Sequence, residues 1–249
     1  MKLTISLISV LFFINNAYSQ ILKKLEDQVP HEEILYDDSI VDPYYGITIY
    51  EPLNMFLHAD STRNCSGYLC NGWITDKYKN GQMIHKGFYL DGQLKIYKNF
   101  YPDGSLERSF TTVDNYRCNV KLYFPGGNLK SSVKYLHGEP VLWIDYYENG
   151  NEKFKEEFHK SLTYHIEKRS FYETGTVEDE LVLSDKKKLC YDKNEYFPNG
   201  QIKTDGEMTF NKTSYDYFKS GVWKHFDNSG KLIKEVTYKN GNISEEKNY

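Results

Sequence analysis

Two aspartates, Asp91 and Asp103, sit twelve residues apart in near-identical settings. Tyr89-Leu-Asp-Gly92 returns as Tyr101-Pro-Asp-Gly104 inside the stretch FYLDGQLKIYKNFYPDGSLERSF, Phe88 to Phe110. Paired carboxylates are the equipment of general acid–base chemistry, in which one group is held protonated and the other ionised. That division needs two different environments, and equivalent positions before a turn glycine supply one environment twice. Asn80, Asn149 and Asn199 fill the same place in further copies. The position therefore selects turn chemistry rather than charge, and no catalytic residue is assigned.

The remaining reactive side chains are scattered. Of seven histidines, His159 and His165 are the closest pair, outside any His-Glu-x-x-His helix. No Gly-x-Ser-x-Gly elbow or phosphate-binding loop is present, so neither a metal nor a cofactor is assigned. Cys65 and Cys70 flank Ser-Gly-Tyr-Leu, a turn short enough for a disulfide. A zinc site there would need two further ligands that the sequence does not offer.

The elements that carry these residues repeat. Gly81, Gly92, Gly104, Gly127, Gly150, Gly175, Gly200, Gly230 and Gly241 each close a motif that starts on Tyr or Phe, as in Tyr78-Lys-Asn-Gly81, Phe197-Pro-Asn-Gly200 and Tyr238-Lys-Asn-Gly241. From Gly104 to Gly200 the spacings are 23, 23, 25 and 25; elsewhere they are 11 or 12, apart from 30 between Gly200 and Gly230. The missing half-periods fall on turn-like residues at Asp114-Asn115, His137-Gly138, near His159-Lys160 and at Ser184-Asp185. Turns at this interval mark consecutive strands, and self-similarity at this period marks a repeat architecture. Between turns the pattern alternates: Leu232, Val236 and Tyr238 oppose Glu235 and Thr237. The expectation is an all-β chain, an elongated antiparallel β-meander of repeated hairpins forming a single-layer sheet of about fifteen strands, at roughly twelve residues per strand and turn.

Strand count also places the other cysteines. Cys118 and Cys190 fall six strands apart, about 29 Å at 4.8 Å per strand, far beyond the ~7 Å limit for a bridge. Both are expected to be free thiols. Trp73, Trp143 and Trp223 lie seven or eight residues before Gly81, Gly150 and Gly230. Each starts the strand leading into its turn, where it packs across neighbouring hairpins or, alternatively, offers a partner-binding platform.

Residues 1–19 stand apart as a secretory signal peptide: Lys2, an apolar run from Leu3 to Ile14, then Ala17-Tyr18-Ser19 for cleavage between Ser19 and Gln20. The run is too short to span a bilayer, and no later segment is long and apolar enough to do so. Residues 20–60 form an N-terminal capping segment, with a short helix over Ile21–Val29 and a strand over Tyr44–Glu51; residues 61–249 form the repeat domain. Charges in Ser244-Glu-Glu-Lys-Asn248 would discourage pairing at the far edge. The expected location is the periplasm, the outer surface or the exterior. A formal charge of −4 excludes a basic nucleic-acid-binding surface, while 23 Tyr, 14 Phe and 3 Trp exclude a disordered chain.

The series of aromatic-aromatic-x-Asn-Gly-x-Leu motifs, with Gly221-Val-Trp223-Lys-His-Phe226, resembles the MORN-variant repeat over about residues 70 to 249. It is similar to the repeats of the YwqK-type antitoxin family and of exported relatives in Bacteroidetes-like bacteria. The resemblance implies side-by-side β-hairpins, an interaction role and no catalytic residues. The function expected is an exported, non-enzymatic surface for another protein in the envelope or exterior. The alternatives are an exported antitoxin or immunity protein, and a carbohydrate-binding surface.

Overall fold

A computed structural model describes residues 35–36, 49–239 and 241–249. The expected signal peptide, the cleavage site expected at Ser19–Gln20 and the helix expected over Ile21–Val29 lie outside the described residues. Of the strand expected over Tyr44–Glu51, only Ile49–Glu51 are described, and they form a turn leading into a 3-10 helix.

Fifteen strands run as an uninterrupted antiparallel meander in one open sheet. They are β4 (Gly72–Tyr78), β5 (Met83–Leu90), β6 (Gln93–Phe100), β7 (Leu106–Thr112), β8 (Arg117–Tyr123), β9 (Leu129–Leu136), β10 (Glu139–Tyr146), β11 (Glu152–Phe158), β12 (His165–Phe171), β13 (Val177–Asp185), β14 (Cys190–Tyr196), β15 (Ile202–Asn211), β16 (Asp216–Phe226), β17 (Leu232–Lys239) and β18 (Asn242–Asn248). The short β1 (Leu35–Tyr36) adds to β4 in parallel, and β2 (Asn64–Cys65) pairs with β3 (Tyr68–Leu69) as a separate hairpin.

The nine motif glycines all have positive φ, but they serve two kinds of turn at opposite edges of the sheet. Seven of them lie on one edge, in turns such as Tyr101–Ser105 and Tyr147–Asn151. In each, the glycine N–H donates to the carbonyl of the turn's first residue, and that residue's N–H donates to the residue after the glycine, for example Gly104 N to Tyr101 O at 2.8 Å and Tyr101 N to Ser105 O at 2.8 Å. This is a type I turn followed by a left-handed glycine that forms a bulge. Asn80, Asp103, Asn149 and Asn199 accept from the N–H two residues on, at 2.8 to 3.0 Å. The side chain is chosen for its acceptor, and only the glycine takes the positive φ. Gly92 belongs to the opposite edge, in a two-residue turn where both Asp91 (φ 51°) and Gly92 (φ 75°) are left-handed. Gly241 also falls on that edge.

Pairing registers define the two faces. One ladder of partners runs Ile74, Gly87, Tyr97, Phe110, Val120, Val133 and Trp143, and marks the inner face. Residues 49–70 lie over its first half. Tyr50 stacks on His85 at 3.7 Å, Phe56 tilts against Phe110 at 6.0 Å, and Tyr97 stacks on Phe110 at 5.2 Å. The covering segment continues past residue 60, through the β2–β3 hairpin to Cys70, before the meander begins at Gly72. A second, smaller core holds Leu181, Leu189, Tyr191 and Phe210, with Tyr164 and Tyr217 against it. There the long turns at His159–Tyr164 and Asp185–Leu189 fold over the inner face. Single-layer sheets need such covers, because a strand with two wet faces buries too little apolar surface to offset its conformational entropy.

Candidate interaction surfaces

Asp91 and Asp103 do not share a site. They sit at opposite ends of β6, one at each edge of the sheet. Their motifs look alike in sequence, yet Tyr89 is a fully buried strand residue whereas Tyr101 is the first residue of a turn. The earlier equivalence of the two copies is thus corrected: Asp91 adopts left-handed backbone, while Asp103 caps its own turn. Hydrogen bonds from the Ser105 hydroxyl and N–H hold the Asp103 carboxyl below the usual range. A depressed, exposed carboxylate is the opposite of a poised general acid.

The arrangement closest to an active site is one that sequence reasoning missed. Arg63 pairs with both oxygens of Asp76 at 2.6 Å, and Tyr50 donates to Asp76 Oδ2 at 3.0 Å. Arg63 also donates to Tyr89 Oη at 3.2 Å. Tyr89 Oη lies 3.0 Å from His85 Nε2, and His85 Nδ1 lies 2.6 Å from Asn99 Oδ1. The acceptor at Asn99 puts the imidazole hydrogen on Nδ1, so Nε2 accepts from Tyr89. Asp76, His85, Tyr89 and Asn99 are at most 2% exposed. Burial pushes the His85 imidazole down to about 4, so it is neutral near pH 7. The network anchors the covering segment to β4, β5 and β6: its charges are paired, as burial demands, and Asn99 accepts from His85 while its own Nδ2 has no partner. No local motif signals it, since Arg63 and Asp76 come together only when the hairpin folds over the strand.

The other histidines serve separate neighbourhoods. His165 Nε2 lies 2.8 Å from Glu156 Oε1 and its Nδ1 2.7 Å from Tyr217 Oη, whereas His159 Nδ1 meets Ser161 Oγ at 2.8 Å. Among the described residues no three His, Cys, Asp or Glu side chains gather where they could hold a metal ion. Cys65 and Cys70 are joined, with Cα atoms 5.0 Å apart, and staple the β2–β3 hairpin. Cys118 on β8 and Cys190 on β14 are free. Burial pushes the Cys118 thiol up to about 12, so it packs as an inert apolar group.

The three tryptophans part company. Counted back from the first residue of the turn, Trp143 and Trp223 hold the same position, four residues upstream of Tyr147 and Asp227. Trp73 is five upstream of Tyr78, and the slip of one residue sends it to the other face. Trp223 is 2% exposed. It lies over Gly206, where a Cβ would collide with its ring, donates from Nε1 to Glu207 O at 3.1 Å, and carries Lys219 Nζ 4.0 Å above its ring. It is a core residue and not a partner platform. Trp73 stands 57% exposed on the outer face beside Phe88 and Lys86. Trp143 stands 38% exposed on the inner face, in the interval between the two covered regions. Its indole N–H donates to Asp145 at 2.6 Å, and Phe154 meets it edge-on at 6.5 Å with Lys168 over the Phe154 ring.

Residues 219–240 match the MORN repeat variant. The matched unit spans the end of β16, the Asp227–Lys231 turn and β17, so one repeat is one hairpin. Six further hairpins from β4 to β15 close with the same turn geometry. No curated protein is found to match the chain. Within the described residues no helix is long and apolar enough to cross a membrane. The matched segment and the recurrence of its turn through the meander support a MORN-variant repeat protein, consistent with a non-enzymatic protein-interaction domain.

Proposed function

We propose that this chain is an exported, non-enzymatic repeat protein whose open sheet holds another protein in the cell envelope or exterior. The observation that carries the reading is the strip around Trp143 and Phe154. Among the described residues this stretch of the inner face leaves Trp143 exposed and Phe154 half-buried between two regions that the chain covers itself. An aromatic pair flanked by Asp145, Glu156 and Lys168 has the anatomy of an interface centre with a polar rim. Support for export comes from the leader-like residues 1–19 and from the Cys65–Cys70 bond, which an oxidising compartment sustains. An immunity role, of the kind the YwqK-type resemblance implies, would be a special case in which the partner is a toxin.

A photo-reactive residue placed at position 154, activated in intact cells and followed by mass spectrometry, tests the proposal. One stoichiometric protein, lost when Trp143→Ala is introduced, is the expected result. Recovery of glycan alone would replace it with the carbohydrate-binding reading.

A further inference from the structure

The outer face carries charge in two opposite halves. Two adjacent ladders run along it. The first passes through Thr75, Lys86, Lys98, Ser109, Lys121 and Ser132 to Ile144 on β10. It then continues through Lys155, Arg169, Glu180, Asn194 and Asp205 to Lys224 on β16. The second passes from Trp73 and Phe88 through Ile96, Thr111, Asn119 and Lys134 to Leu142. It continues through Glu157, Glu167, Val182, Asp192 and Glu207.

From β4 to β9 these ladders hold Lys86, Lys98, Lys121 and Lys134, and no carboxylate. None of those lysines forms an ion pair among the described residues. From β11 to β15 the balance reverses. Lys155 and Arg169 are engaged by Glu167 and Glu180. Glu157, Asp192, Asp205 and Glu207 are left with no cation within bonding reach among the described residues. Four lysines on one side of β10 thus equal in number the four carboxylates on the other, and at β10 itself the ladders turn apolar with Leu142 and Ile144.

We infer that the outer face is the interface of a two-fold dimer, with a second copy of this chain as its occupant. A two-fold axis along β10 sets each strand before β10 opposite the strand equally far beyond β10 in the partner. Lys86 on β5 then faces Asp205 on β15, and Lys134 on β9 faces Glu157 on β11, each contact made twice as isologous symmetry requires. Lys98 on β6 faces Asn194 on β14, and Lys121 on β8 faces Arg169 on β12, whose charge Glu167 and Glu180 already engage. Where Phe88 and Ile96 meet Glu207 and Asp192, Lys86 and Lys98 stand one ladder away. Leu142 and Ile144 meet their own copies at the axis, giving an apolar centre inside a charged surround. Two twisted sheets stack face to face in this way in β-sandwiches. Thirteen strands at about 4.8 Å and two ladders about 14 Å across give on the order of 850 Å² per copy, the area of a standard stable interface. The occupant is argued from charge: a polyanion would suit the lysine half alone and be repelled by the other. This face is opposite the Trp143 strip, so the dimer stands or falls separately from the proposed partner protein.

The test uses the purified protein in sedimentation velocity at low and high salt, with Lys86→Glu, Asp205→Lys and the double variant. Positions 86 and 205 lie ten strands apart in one chain, about 48 Å, so they can compensate each other only between copies. The expected result is a dimer that weakens with salt. Each single reversal raises its dissociation constant about tenfold or more, and the double variant returns to within about threefold of the unmodified protein. A monomer at all concentrations up to about 100 μM, well above the affinity of standard-size interfaces, would overturn the inference. So would a dimer indifferent to both reversals, or a monomer that captures polyanions through the lysine half.

Discussion

The hydroxyl of Tyr101 donates to the carbonyl of Tyr123 at 2.8 Å, tying one turn to the residue just ahead of the next turn on the same edge. Tyr78 does the same to Phe100, Tyr147 to Phe171 and Tyr172 to Tyr196, at 2.7 to 2.9 Å. Where the first turn residue is Phe124 or Phe197 and has no hydroxyl, an amide makes the tie: Asn128 donates to Glu148 O at 2.9 Å and Asn199 to Asn228 O at 3.3 Å. Consecutive turns of the repeat edge are therefore joined by side chain to backbone along the whole sheet. This explains why the motif favours tyrosine over phenylalanine.

Removing one tie should be felt locally. Tyr147→Phe keeps the ring and leaves the Phe171 carbonyl without its donor, at a cost of about 1 kcal/mol. Urea denaturation should register the loss, and hydrogen exchange should place the faster amides at the turns beginning at Tyr147 and Tyr172.

The tryptophans should rank by burial, not by motif. Trp223→Ala empties the site over Gly206 and should cost about 3–5 kcal/mol. Trp73→Ala removes an exposed ring and should change stability by about 0.5 kcal/mol or less. Thermal unfolding of the two variants side by side checks the order; similar losses would contradict the assignment of Trp73 to the uncovered face.

Acid should loosen the covering segment through His85. Its folded pKa of about 4 lies below the ordinary 6.5 that it regains on unfolding. The unfolded chain then binds the extra proton, so stability is full above pH 6.5 and declines as pH falls toward 4. The loss is about 2 kcal/mol by pH 5 and up to about 3 kcal/mol at lower pH. Denaturation at pH 7 and pH 5 should show this slope in the unmodified protein and a shallower one in His85→Gln, whose side chain does not titrate.

Reduction should act on the same segment. Opening the Cys65–Cys70 loop should cost about 2 kcal/mol on the chain-entropy estimate for so short a closure. Cys65→Ser, compared with the oxidised protein by limited proteolysis, should show earlier cleavage between residues 55 and 70 and an unchanged pattern beyond β9.

The repeat was legible because its signals are local. A left-handed glycine, an Asx acceptor and alternating apolar residues act within a few positions of one another, so period and strand number follow from sequence alone. The free state of Cys118 and Cys190 followed from the same count. Local likeness also misled. Tyr89-Leu-Asp-Gly92 and Tyr101-Pro-Asp-Gly104 read as copies, and pairing sends them to opposite edges. Trp73 reads like Trp143, and one residue of slip turns it to the opposite face, because a strand alternates at every step.

What only the tertiary structure decided are the features built between distant segments: the Arg63–Asp76–Tyr89–His85 network, the ties from turn to turn, and the two halves of charge on the outer face. A ladder collects one residue from each strand, so its composition is set by register across the sheet. The sequence by itself determined that strands would form and turn back. Bulges and turn lengths fixed which residues stand together, and so which surfaces this protein has to offer.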